Sequence, residues 1–257
     1  LVVGAEALQL SDEINNIWNQ SFGRMQLGYV HLDRGDYSQA IDYMEASITL
    51  GEQAGFMIPL MLSGSLLAWT YALLGDLERA WGWAERALTR ADEMHPSLRI
   101  SPLAAQGFIA LLDGKVEKAE TAVAEALDRF SADNNDPSLL LVPFASVELA
   151  LAQGNPRQAL QHLDRFLTVL RERSIRIMTG TLYWQRGRAE LALGRLDEAA
   201  AVLKTGEQIA RKSGSRPSLS RLLEAQATLA EAEEDLATAA SLRQDALAII
   251  QAIAKDL

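Results

Sequence analysis

The chain contains no cysteine, so it can have neither a disulfide framework nor a metal site built from thiolates. It also lacks an excess of positive charge. Its 24 basic and 34 acidic residues give a formal net charge of −10, which argues against nucleic acid or an anionic membrane surface as a partner. The longest apolar runs, such as residues 139–145, are much shorter than a membrane-spanning helix requires. Aromatic residues are scarce at 6%, whereas hydrophobic residues make up 49%, and this combination favours closely packed helices.

Recognisable catalytic motifs are also missing. The sequence contains no P-loop, no nucleophile elbow, no His-Glu-x-x-His motif and no dinucleotide-binding glycine fingerprint. The three histidines, His31, His95 and His162, lie far apart, and none has a neighbour at the spacing of a recognised metal site. We therefore predict that the chain is not an enzyme and that it uses neither a cofactor nor a metal ion.

What the chain does have is a repeated phrase, a glycine followed five residues later by an alanine. Five copies are separated by 40, 39, 40 and 40 residues, and a sixth copy, from Glu234 to Ala239, has lost its glycine. Self-similarity at this period predicts a solenoid of stacked helical repeats. The five complete phrases are Gly35–Ala40, Gly75–Ala80, Gly114–Ala119, Gly154–Ala159 and Gly194–Ala199.

Each phrase is expected to join two helices. Before the first glycine, Phe22, Met25, Tyr29 and Leu32 keep the spacing of one helical face. The glycine can take the left-handed conformation that ends a helix, a following Asp or Asn can cap the next helix, and the alanine lets the two helices approach closely.

These features predict an all-α fold of about six helix-turn-helix repeats with a period near 40 residues. We interpret residues 1–257 as a single solenoid domain that is a piece of a larger protein, and residues 1–13 as the end of a preceding repeat. The predicted repeats are residues 14–55, 56–95, 96–134, 135–174, 175–214 and 215–254.

The first unit resembles the tetratricopeptide repeat (TPR) pattern through Leu27, Gly28, His31, Gly35 and Ala40, and the second and fifth units resemble it similarly. TPR units usually contain ~34 residues, so each helix here should be longer by up to a turn. Repeats of this length are similar to those in the C-terminal sensor regions of bacterial signalling ATPases, maltose-activator-type regulators and multidomain nucleotide cyclases. The resemblance implies a right-handed α-α superhelix within a regulatory protein.

In such a superhelix the first helix of each repeat lines the concave side. Counting back six and ten residues from each turn selects two positions on one face of each first helix. Large apolar and charged side chains there suit the binding of a peptide or a sugar-like molecule. Two alternatives are that these side chains pack inside the stack, or that they form an interface with another part of the parent protein. The predicted binding residues are Met25, Tyr29, Ser65, Trp69, Phe108, Phe144, Glu148, Trp184 and Arg188.

The leading hypothesis is a non-enzymatic, cytoplasmic scaffold that binds a protein or peptide segment within a bacterial signalling or transcription-regulatory protein. The bound segment could belong to a neighbouring domain of the same chain. A second hypothesis is a sensor of a small-molecule inducer that controls an attached ATPase or cyclase, which the pair Glu148 and Arg188 near Trp184 would suit. A third is an oligomerisation module that forms a homodimer through its end helices.

Overall fold

A computed structural model describes residues 2–130, 141–172 and 177–257. These residues form thirteen α-helices and one 3-10 turn at Pro96–Arg99, with no strand among them. No helix within these three ranges is both long enough and apolar enough to span a bilayer. The helices are α1 (Val2–Glu13), α2 (Ile17–Arg34), α3 (Tyr37–Gln53), α4 (Ile58–Leu73), α5 (Leu77–Met94), α6 (Ile100–Leu112), α7 (Val116–Arg129), α8 (Leu141–Ala152), α9 (Pro156–Glu172), α10 (Thr179–Ala192), α11 (Leu196–Ser213), α12 (Arg216–Ala232) and α13 (Leu236–Lys255).

The predicted turns between paired helices are confirmed. The glycines at 35, 75, 114, 154 and 194 all have φ between 69° and 81°, a left-handed conformation that a side chain rarely adopts. In the sixth phrase Glu234 takes the same conformation with φ 64°. Asp76 and Asp235 then cap the following helices, because their carboxylates accept the backbone N–H groups of Arg79 and Thr238 at 3.0 Å.

The alanine of each phrase lies where paired helices cross. The six alanines are between 0% and 2% exposed, so the predicted close packing at these positions is confirmed. The first helix of a pair packs on the second in α4–α5, α6–α7, α10–α11 and α12–α13. The boundaries proposed for the repeats remain predictions, and those at residues 134–135 and 174–175 lie outside the described residues.

The chain divides into two compact units. Unit 1 comprises Leu1–Leu32 and Tyr37–Leu149, and its interior includes the fully buried side chains of Met44, Leu66 and Ile109. Unit 2 comprises Asp33–Asp36 and Ala150–Leu257, and its interior includes Leu163, Leu203 and Leu222. In unit 2, α10 packs against α9, α11 and α12.

The short Asp33–Asp36 segment belongs to unit 2 because it contacts the start of α12. Arg216 donates from Nη2 to the Asp36 carboxylate at 2.8 Å and from Nε to the backbone carbonyl of Arg34 at 3.1 Å. Ser215 Oγ donates to the backbone carbonyl of Asp33 at 2.7 Å and lies 3.0 Å from its Oδ1. Since these are charge-assisted or part-buried bonds, they fix this segment in place.

Asp33 makes this contact sensitive to pH. Burial raises the pKa of its carboxyl above the ordinary value of 3.8, and the hydrogen bond from Ser215 opposes that shift. Because the folded chain then holds the proton more tightly than the unfolded chain, stability should fall as pH rises from 3.8 through the raised pKa. Asp33→Asn should therefore melt at a higher temperature than the natural chain near neutral pH, and this difference should shrink in acid. Thermal unfolding across that pH range measures it.

The matched control is Asp245→Asn, which removes the same charge from an exposed position on α13. This variant should melt like the natural chain at every pH. If the two variants behave alike, burial of Asp33 does not penalise its charged form.

Candidate functional site

The predicted binding residues of the central first helices form an aromatic cluster inside unit 1. The ring of Trp69, on α4, stacks on Phe108, on α6, with centroids 3.8 Å apart, and contacts Phe144, on α8, at 5.7 Å. The three side chains are 3%, 8% and 1% exposed. Counting back six and ten residues from each turn therefore selected three residues that contact one another, but they do so in a closely packed interior.

Three further predicted residues of unit 1 are also buried. Met25, Tyr29 and Ser65 are at most 2% exposed, and Ser65 donates its hydroxyl to the Met61 carbonyl one turn earlier at 2.6 Å. In unit 1 only Glu148 of the predicted set is half-buried instead of buried. These side chains offer a ligand almost no surface, and their role as binding residues remains a prediction.

The predicted residues of unit 2 are more accessible. Trp184, on α10, is half-buried and packs against a buried cluster that includes Leu203 and Leu222. The guanidinium of Arg188, one turn further along α10, lies 4.5 Å from the centre of the Trp184 ring, and that of Arg221, on α12, lies 5.1 Å from it. Two cations over one indole ring make a site with both an aromatic edge and positive charge.

A second group of charges lies beside this site on α12 and α13. Arg243 donates to Glu224 at 3.1 Å and to Glu231 at 2.8 Å. The hydrogen bonds from Arg243 lower the pKa of the Glu231 carboxyl, so Glu231 stays ionised, and both acids are bound by this arginine. The negative charges of α12 are thus neutralised within the fold, whereas Arg221 forms no ion pair with any residue that the structure describes.

Arg221 is not among the predicted binding residues, although its place in the sequence indicates that it lies near them. Glu224 lies ten residues before the last turn at Glu234 and is therefore a counted position of α12. Arg221 precedes Glu224 by three residues, so it lies on the same face of α12, one turn earlier. Glu148 and Arg188 were expected to act as a pair near Trp184. Glu148 belongs to unit 1 and Arg188 to unit 2, and their pairing remains a prediction.

A cavity lined by none of the predicted binding residues lies in unit 2 between α9, α10 and α11. Its volume is about 480 Å³, and an adjoining cavity of about 410 Å³ shares Leu167, Arg171 and Tyr183 with it. Two of the three helices that form it are second helices, which the count did not consider. In the parts of the chain that the structure describes, no group of three or more His, Asp or Glu side chains could hold a metal ion.

Comparison with known protein families identifies the chain. The family described as the MalT-like TPR region matches residues 65–253, and the tetratricopeptide repeat family matches residues 24–52. The chain belongs to the MalT-like TPR region family. The MalT-like match covers five of the six phrases, and the predicted TPR resemblance and all-α helical-repeat fold are confirmed.

Solved structures show the same fold at low sequence identity. A Rap protein in complex with competence and sporulation factor superposes with a TM-score of 0.66 at 12% identity, covering 93% of this chain and 77% of that one. BtubC from P. vanneervenii gives 0.58 at 17% identity, covering 87% and 92%, and the APC/C hetero-tetramer Cut9-Hcn1 gives 0.60 at 17%, covering 89% and 40%. A comparison with curated protein sequences found no significant match. These likenesses concern the fold alone.

Proposed function

We propose that this MalT-like TPR chain is a non-enzymatic, cytoplasmic scaffold that binds a protein or peptide segment in a bacterial signalling or transcription-regulatory protein. The observation that carries the proposal is the half-buried Trp184 with the guanidinium groups of Arg188 and Arg221 within about 5 Å of its ring centre. Tryptophan and arginine are the residue types that most often dominate the energy of protein contacts. Structural relatives support this function, because one is a Rap protein complexed with a factor and another is the Cut9-Hcn1 complex.

The chemistry of the site defines the segment that it would bind. The exposed part of Trp184 can pack against an apolar or aromatic side chain, and the Arg221 guanidinium, which forms no ion pair with a described residue, can bind a carboxylate in bidentate geometry. The neighbouring acids Glu224 and Glu231 are already paired with Arg243 and do not compete for Arg221. The preferred partner is therefore an acidic segment that carries an apolar anchor residue.

An array of short synthetic peptides, in which acidic and aromatic residues are varied independently, tests this proposal. Peptides that carry both residue types should bind best. Trp184→Ala and Arg221→Ala should each weaken that binding by about 2–4 kcal/mol, the cost of losing a hot-spot residue, which corresponds to roughly 30-fold to 1,000-fold in affinity. Fluorescence anisotropy of labelled peptides measures the change.

The matched control is Trp83→Ala. Trp83 lies on α5, a second helix of unit 1, is also half-buried, and has the Arg86 guanidinium 4.3 Å from its ring. Its loss removes an equivalent cation–π pair from a different surface and should leave peptide affinity unchanged. If Trp83→Ala weakens binding and Trp184→Ala does not, the proposed surface is wrong.

A second candidate function is the sensing of a small-molecule inducer that controls an attached ATPase or cyclase. The cavity between α9, α10 and α11 favours it, because its volume lies within the range of small-molecule sites. A thermal-shift screen separates the two functions, since a ligand at 100 times its dissociation constant stabilises the protein that binds it by ~2.7 kcal/mol. Stabilisation by small molecules and not by peptides would favour this second function.

A further inference from the structure

The cavity in unit 2 lies where three helix ends come together. The last turns of α9 contribute Leu170 and Arg171, the start of α10 contributes Thr179, and the end of α11 contributes Lys212 and Ser213. None of these residues belongs to the Trp184 surface. The cavity is therefore a separate site with its own side chains.

The walls of this cavity are largely apolar. Leu170 is 6% exposed, Leu167 and Ile209 are half-buried, and Tyr183 adds an aromatic ring. A Cβ on Gly206 would lie 2.7 Å from the Cβ of Tyr183, so this glycine is what allows α11 to contact α10 at the base of the tyrosine. The close contact holds Tyr183 at the boundary that the two cavities share.

Among the described residues that line the cavity, every charged side chain is positive. Arg171 and Lys212 both line it, and among the described residues that do so there is no carboxylate. Asp164, which lines the adjoining cavity, is bound by Arg186 at 2.8 Å. Within the described ranges neither Arg171 nor Lys212 forms an ion pair, although the chain carries a net charge of −10.

Each cation taken alone has an ordinary explanation, because Arg171 and Lys212 lie in the last turns of α9 and α11 and complement their helix dipoles. That explanation accounts for a cation at each helix end. It does not account for two unpaired cations lining one apolar cavity. An anionic group between them would be attracted by both charges and by the donor groups of Arg171, Lys212 and Tyr183.

We propose that this cavity binds a small organic acid, a carboxylate attached to an apolar or aromatic body. The carboxylate contacts Arg171 and Lys212, and the apolar body packs against Leu170, Ile209 and the Tyr183 ring. A volume of about 480 Å³ accommodates a body of the size of a phenylalkyl group. This inference concerns what occupies the cavity, and it holds whether or not the occupant regulates an attached domain.

Isothermal titration calorimetry with three acids of this class tests the inference: 3-phenylpropionate, octanoate and indole-3-propionate. Each acid is compared with its own primary amide, which has the same body without the charge. At least one acid should bind about tenfold more tightly than its amide. The double variant Arg171→Glu/Lys212→Glu should lose this preference, and Ile209→Trp, which fills the cavity, should weaken acid and amide together.

The matched control is Lys204→Glu/Lys255→Glu, which makes the same change of net charge at exposed positions of α11 and α13 outside the cavity. It should bind the acids like the natural chain, and circular dichroism checks that every variant is folded. The inference is overturned if none of the three acids binds at millimolar concentration. It is also overturned if acid and amide bind equally, or if both double variants lose binding alike. Tighter binding of a short peptide through its C-terminal carboxylate would make a chain end, and not a free acid, the occupant.

Discussion

Trp69→Ala should lower the free energy of unfolding by about 3–5 kcal/mol, because it removes a large aromatic side chain from a closely packed interior. The indole is 3% exposed, and its ring centroid lies 3.8 Å from that of Phe108, on which it stacks, and 5.7 Å from that of Phe144. Alanine would leave a cavity bounded by two rings on different helices, which cannot both move to fill it. Urea unfolding followed by circular dichroism measures the loss.

Two controls separate packing from other effects of Trp69. Trp69→Phe keeps an aromatic ring in the cluster, and it removes an indole N–H that is buried without an acceptor among the described residues, so it should cost much less than alanine. Trp184→Ala removes a half-buried tryptophan whose guanidinium contacts are worth about 1 kcal/mol or slightly more. A cost for Trp184→Ala as large as that for Trp69→Ala would contradict the distinction between a buried and an accessible tryptophan.

The difference in burial between Trp69 and Trp184 could not be predicted by counting residues back from the turns. Counting back from the turns places a residue on the correct face of its helix, because the helical period is fixed. The count does not give the burial of that residue, because burial depends on the side chains of the neighbouring helices. Trp69 contacts Phe108 and Phe144, which occupy the counted positions of the next two first helices. On the first helix after that of Trp184, the counted positions hold the exposed side chains of Glu224 and Thr228.

More of the fold than of the site could be predicted from the sequence, because the turns of the fold depend on a few adjacent residues. A glycine that ends a helix in the left-handed conformation, followed by an Asp that caps the next helix, is readable from a few adjacent residues. The sixth phrase shows how far this holds. Glu234 adopts the left-handed conformation without being glycine, and the Asp235 cap and the buried Ala239 keep the turn in place.

The cavity could not be predicted from the sequence for a related reason. Its lining comes from α9, α10 and α11, and no short pattern in the sequence links Leu170, Tyr183 and Ile209. Arg171 and Lys212 each fit the ordinary pattern of a cation at a helix C-terminus. Only their position on the same cavity, without a carboxylate among its described lining residues, distinguishes them from other surface cations.

Gly187→Ala should lower the free energy of unfolding by about 1–3 kcal/mol through overpacking of α10 against α11. A Cβ at this position would lie 2.2 Å from Leu203 Cδ2 and 2.6 Å from its Cγ. Leu203 is fully buried among Ala210, Leu222 and Ala225, so it has no space to rotate away. The gain in helix propensity from glycine to alanine, about 1 kcal/mol, opposes only part of this cost.

Gly82→Ala is the matched control, because Gly82 also lies within a helix but a Cβ there would meet nothing within 4 Å. It should stabilise unit 1 by about 0.5–1 kcal/mol, and thermal unfolding compares the two variants. Because α10 carries both Trp184 and Arg188, a displacement of α10 from α11 by Gly187→Ala should also move the indole relative to Arg221. We therefore expect Gly187→Ala, unlike Gly82→Ala, to weaken peptide binding together with stability. If Gly187→Ala instead stabilises the chain as Gly82→Ala does, the close contact between α10 and α11 does not limit the packing of this repeat.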